Sequence, residues 1–151
     1  MSLREEIFEQ PAVLKRLIKH QLPAVLDIAQ LLRRQEIDYI FLAARGSSDN
    51  AGLYAKYLWG AANRLHVALA TPSLFSIYQS PPELKNALTV GISQSGQSQD
   101  IVGVLKEAER QGRPRLAITN DPASDVAKAA GRTLPITPSR SPASTQVNRV
   151  G

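Results

Sequence analysis

Apolar positions in the first part of the chain recur at helical spacing. Between Pro11 and Arg34, Leu14, Leu17 and Ile18 share one face, and Val25, Ile28, Ala29 and Leu32 do the same further on. Pro23 lies between the two groups, where its missing N–H either kinks one long helix or begins a second. The period then changes. YIFLAA at 39–44 is continuously apolar, as suits a strand buried on both faces of a parallel sheet. After the turn RGSSDN at 45–50, Ala51, Tyr54, Ala55 and Leu58 mark a helical face. HVALA at 66–70, LTVGI at 88–92 and RLAIT at 115–119 predict three further strands, while 71–82, punctuated by Ser and Pro, has no clear element. QDIVGVLKEAERQG at 99–112 predicts a helix closed by Gly112, and DVAKAA a short one after TNDPAS. RTLPI at 132–136 is the fifth strand, placed at an edge because Pro135 cannot donate to a ladder.

Strands alternating with helices predict the α/β class, with a doubly wound parallel sheet. The strand order is not legible in the pattern. Three segments follow: N-terminal helices over 1–35, an α/β core over 36–136, and TPSRSPASTQVNRVG at 137–151, which is rich in Ser, Pro and Thr and reads as a disordered tail. At 151 residues the chain fits one domain with a real core.

Composition narrows the chemistry. There is no cysteine, which excludes disulfides, thiolate nucleophiles and sulfur-bound zinc. The two histidines, His20 and His66, are far apart in sequence and best read as a helix residue and a strand start, so no metal cluster is expected. The net charge of +5 is spread, with bases and acids interleaved, and no dense basic run argues for nucleic acid. The opening MSLREEIFEQP has neither a signal-peptide pattern nor a membrane span, so a soluble cytoplasmic protein is expected.

Three polar loops fall at the carboxyl ends of predicted strands, where open α/β sheets bind ligands. In SQSGQS at 93–98, Gly96 permits a tight turn and the following helix offers unpaired N–H groups. With the hydroxyls of Ser93, Ser95 and Ser98 these would surround a phosphate with neutral donors. Ser95 or Ser98 could instead serve only as a helix cap, but three serines and two glutamines around one glycine exceed what a cap needs. In the first loop Ser47, Ser48 or Asp49 would cap the next helix, with Ser48 better placed to reach a ligand. Arg45 is the nearest basic residue to this face, and an arginine at a strand end could equally pair with Asp49 or Asp121. Asp121 before Pro122 is a turn former, and Asn120 is open to either role. The chain contains no nucleotide P-loop, no dinucleotide fingerprint and no hydrolase elbow.

ARGSSDNA at 44–51 together with GISQSGQSQD at 91–100 resembles the sugar isomerase (SIS) domain family. The resemblance is strongest to the branch related to the isomerase half of glutamine–fructose-6-phosphate transaminase and to AgaS-like sugar isomerases. It runs from about Glu9 through Ile136 and includes LAITNDPAS at 116–124. It implies a flavodoxin-like five-stranded parallel sheet and a phosphosugar ligand. Ser93, Gln94, Ser95 and Ser98 would hold the phosphate, while Ser47, Ser48 and Asn120 would line the sugar. Where that branch often has glutamate then threonine after the glycine, this chain has Gln97 and Ser98. A hydroxyl is kept and a carboxylate that would repel phosphate is lost.

The implied ligand is fructose 6-phosphate or glucosamine 6-phosphate, handled by aldose–ketose isomerisation with or without amino transfer, and no cofactor or metal is implied. A homodimer is implied as well. Family enzymes of this branch draw their acid–base groups largely from a second such domain and a C-terminal tail. No general base is nominated within 1–136, so the alternative is a non-catalytic phosphosugar-sensing module. The tail at 137–151 departs from the family pattern, as a short version, a truncation or, preferably, a frame change would.

Overall fold

The central strand, β3 (Ala87–Ser93), has all seven residues buried. It pairs in parallel with β1 (Tyr39–Ala44) on one side and β4 (Arg115–Thr119) on the other. Beyond these lie β2 (His66–Leu69) and β5 (Arg132–Pro135), both parallel, giving the order β2-β1-β3-β4-β5. The computed structural model describes residues 3–136, so the expected disorder of 137–151 falls outside the described residues. The five strands match the sequence expectation within a residue or two, and β5 is the edge strand that Pro135 demands.

Alternation along the strands loads both faces. Ile40, Leu42, Val90 and Ile92 point to the face covered by α2 (Ser48–Asn63) and by Ile28 near the end of α1 (Leu3–Arg33). Phe41, Ala43 and Ala87 point to the other face, against Ile101, Leu105 and Ala108 of α4 (Gln99–Arg110) and Val126 of α5 (Asp125–Ala129). The segment left unassigned by its pattern carries α3 (Ser73–Ser76), whose Phe75 ring lies 6.1 Å from that of Phe41.

One open point is settled and one expectation is corrected. Of the two alternatives at Pro23 the structure takes the first: the N-terminal segment is one helix, with Pro11 and Pro23 both inside it. Pro23 removes one ladder bond, and the carbonyl it orphans belongs to the exposed Lys19, where water can satisfy it. In α2 the buried positions are Gly52 and Ala55, while Ala51, Tyr54 and Leu58 face outward. Gly52 decides this orientation: a Cβ there would come within 2.7 Å of Leu42 Cδ2, so the helix seats its glycine on β1.

The two helical layers end differently. α4 and α5 expose no large apolar side chain, whereas α1 exposes Ile7, Phe8, Leu14 and Ile18, and α2 exposes Tyr54 and Tyr57.

Candidate functional site

β1 and β3 are neighbours, yet they send their helices to opposite faces of the sheet. At such a switch point the two following loops part and leave a crevice at the carboxyl ends of the strands. Loops 45–50 and 93–98 flank that crevice, and the loop after β4 borders the second of them. Register keeps the strand ends level, with Ala44 beside Ile92 and Ser93 beside Thr119.

The serine loop is braced from behind. The Gln94 carbonyl accepts from Asn120 N–H (3.2 Å) and from the Thr119 hydroxyl (3.4 Å), and the Gly96 carbonyl accepts from Val126 N–H (3.0 Å). A trans planar peptide aims its N–H opposite its C=O, so the Ser95 and Gln97 N–H groups face away from the β4–α5 loop. Gly96 turns with φ +69°, and a Cβ on it would overlap the side chain of Ser124. Ser124 itself is buried, caps α5 by accepting from Ala127 N–H (3.3 Å), and donates to the Asp121 carbonyl at 2.7 Å.

The predicted phosphate residues divide by role. Ser93 is buried, and its Oγ accepts Gly96 N–H at 3.1 Å, so it shapes the turn from inside. Gln94 and Ser95 are exposed, and Ser95 Oγ accepts Gln97 N–H at a long 3.4 Å. Ser98 occupies the N-cap position of α4 with extended φ/ψ, yet its hydroxyl makes no cap bond. The first ladder bond of the helix runs from Val102 N–H to the Ser98 carbonyl, so the N–H groups of Gln99, Asp100 and Ile101 precede it. The capping explanation of these serines therefore does not hold for Ser98.

Across the crevice, Ser47 stands at the N-cap position of α2 in helical φ/ψ and also makes no side-chain cap bond, while Ser48 is half-buried in the first turn. Asn120 is exposed, with its backbone tied to the serine loop. Arg45 does not pair with Asp49 or Asp121. Its Nε lies 3.5 Å from Asp100 Oδ2, linking the end of β1 to the first turn of α4. Asp121 behaves as a turn former, its Oδ1 accepting Ala123 N–H at 2.8 Å.

Sequence reasoning missed Ser124 as the brace of the loop, although its place just before a short helix is a cap signal. It also missed Asp100 as the partner of Arg45. No sequence spacing announces that contact, because it spans two β–α units. The histidines lie elsewhere, His20 within α1 and His66 at the amino end of β2. So do the perturbed groups: burial raises the Tyr39 hydroxyl pKa at the start of β1, opposed by Arg113, and a hydrogen bond from Arg110 lowers the Glu107 carboxyl, opposed by burial. Among the described residues no cluster of His, Asp or Glu could hold a metal, and no helix is long and apolar enough to cross a membrane.

Fold and loops together define a doubly wound α/β domain with a polar, glycine-turned crevice at its switch point. The SIS domain model matches residues 33–148, and the chain belongs to that family. That match reaches past Ile136, where the resemblance was expected to stop. Glutamine–fructose-6-phosphate aminotransferase [isomerizing] of Caldanaerobacter subterraneus subsp. tengcongensis is 35% identical over 136 residues, which is 86% of this chain but 22% of that protein. A solved structure from Silicibacter pomeroyi, assigned as a phosphosugar isomerase, superposes with a TM-score of 0.83 at 37% identity, over 87% of this chain and 40% of that one. The sugar isomerase domain of the RpiR transcription factor from Sphaerobacter thermophilus shares the fold, with a TM-score of 0.71 at 19% identity over 89% of this chain and 75% of that one. The chain thus spans about a fifth of the length of the curated relative.

Proposed function

We propose that the chain binds a phosphorylated sugar in the crevice between loops 45–50 and 93–98. The phosphate sits on the Ser93–Ser98 loop, contacted by Gln94, Ser95 and Ser98 with Ser93 shaping the turn. The sugar extends along Ser47, Ser48 and Asn120. The observation that carries this reading is the start of α4: a braced loop presents a helix N-terminus whose N-cap hydroxyl is unspent. Unpaired N–H groups and a helix dipole favour an oxyanion there without a lysine. Fructose 6-phosphate and glucosamine 6-phosphate are the ligands that the aminotransferase relationship suggests, in a cytoplasmic chain that is one domain of an aldose–ketose isomerisation or amino-transfer system. Acid–base residues would then come from outside this domain, since neither histidine is at the crevice. That same remoteness favours a second reading, a phosphosugar-sensing module without turnover.

A homodimer belongs to the proposal. The exposed apolar side chains of α1 and α2 suit a contact between copies. Calorimetric titration with both sugar phosphates, beside a Ser95→Ala, Ser98→Ala double variant, tests the site. Saturable binding by the parent that the variant loses, at least roughly tenfold, is the expected result. A folded parent that binds neither ligand overturns it. Turnover of a bound ligand would decide for the enzyme over the sensor.

A further inference from the structure

The loops at the carboxyl end of the sheet carry an unfavourable charge for the ligand proposed above. Among the described residues of these loops and the helix turns that follow them stand Asp49, Asp100, Asp121 and Asp125, against Arg45 and Lys128. Asp125 has Lys128 of its own helix 3.9 Å away, and Asp121 is engaged in its turn. Asp100 is the acid nearest the serine loop in the chain, two residues past Ser98 in the first turn of α4. It is the one that Arg45 reaches, from the other side of the crevice, at 3.5 Å.

An ion pair this exposed contributes little to stability. Its consequence is electrostatic. A phosphate on the serine loop arrives within a turn of the Asp100 carboxylate, and two like charges at such range repel through partly screened solvent. Neutral hydroxyls and amides bind the phosphate oxygens but do not offset that carboxylate. Arg45, anchored at the end of a buried strand, does.

We propose that Arg45 is a specificity-determining residue. Held across the crevice by Asp100, its guanidinium neutralises that carboxylate and lets the crevice accept a phosphorylated sugar. The inference rests on the phosphosugar reading and deepens it. It makes the two residues one electrostatic unit, so removing the cation does harm only while the carboxylate remains.

The test is a double-variant cycle on the full chain, with fructose 6-phosphate as the calorimetric probe at low ionic strength. Arg45→Ala is expected to weaken binding roughly tenfold, the scale of one unscreened like-charge contact, and less at high salt. Adding Asp100→Asn to Arg45→Ala is expected to restore affinity to within about twofold to threefold of the parent, and Asp100→Asn alone, which leaves the Arg45 charge unopposed, to tighten binding. Circular dichroism of each variant checks folding, which the exposure of the pair predicts is intact. Arg45→Ala binding as tightly as the parent overturns the inference, and so does a double variant as weak as the single. A parent chain that binds no sugar phosphate overturns the function proposed above together with this inference, which separates the two failures.

Discussion

Gly46 and Gly96 occupy corresponding places in two β–α units whose strands, β1 and β3, are neighbours in the sheet. Each follows its strand, turns with φ of +61° or +69°, and precedes a helix. Their surroundings differ. A Cβ on Gly46 would meet nothing within 4 Å, whereas one on Gly96 would overlap Ser124 and come within 3.0 Å of Thr119 Oγ1. Both positions need a left-handed backbone, but only the second also needs the volume of a hydrogen atom. The first loop is therefore positioned by its own turn and by the Arg45–Asp100 contact. The second is pressed against the β4–α5 connection and held by three hydrogen bonds from it. A phosphate seat requires the second arrangement, because donors aimed in advance lose less order on binding.

The sharpest way to break this contrast is to add one carbon at each glycine. Gly96→Ala combines left-handed strain with a collision in a packed interior and is expected to lower stability by about 2–5 kcal/mol, with loss of ligand binding. Gly46→Ala carries the strain alone, about 1–2 kcal/mol. Urea denaturation of both reads the difference, and equal losses would remove the distinction between a braced and an unbraced loop.

Ser124→Ala sharpens the same point more gently. It removes the α5 cap and the hydrogen bond to Asp121 while leaving Gly96 its space. A loss of about 1 kcal/mol is expected, together with weaker phosphosugar binding. Loss of stability with unchanged affinity would show that the brace serves only the fold.

The smallest effect lies away from both loops and acts as a control. The Arg110 guanidinium hydrogen-bonds Glu107, and Gln111 bonds it too, holding its carboxyl below the usual glutamate range. With the folded pKa below the unfolded one, the contribution is present above the unfolded value near 4.3 and disappears as pH falls through the folded value. Glu107→Gln is expected to flatten the acid limb of the stability profile below about pH 5 while leaving ligand affinity unchanged. An altered affinity at pH 7 would mean that α4 transmits strain from its last turns to the loop.

Much of the architecture was legible because its causes are local. Runs such as YIFLAA and RLAIT must be buried on both sides, and the helix at 99–112 carries its own apolar stripe and stop. The serine loop could be singled out for the same reason, since glycine, hydroxyls and a helix start are adjacent in the chain. Orientation was harder. Tyr54 and Leu58 look like core residues on helical spacing but face outward, because the glycine at 52 lets α2 approach β1 on a different side. The continuity of α1 through Pro23 was equally undecided, since a lost ladder bond in exposed helix is cheap in water and decisive only when buried.

The sequence by itself determined the class of the fold, the edge position of β5 and the nature of the donors offered at the carboxyl ends of the strands. These follow from periodicity, from a proline without an N–H and from residue chemistry, all carried within a few neighbouring positions. Only the tertiary structure decided that β1 and β3 lie side by side with their helices on opposite faces, which opens the crevice. It alone decided that Ser93 is spent inside the turn while Ser98 is not, that Ser124 presses on Gly96, and that Arg45 meets Asp100. Each of those depends on contacts between residues distant in the chain or on the direction of a single bond. Strand order and packing set such contacts, and no spacing in the sequence encodes them.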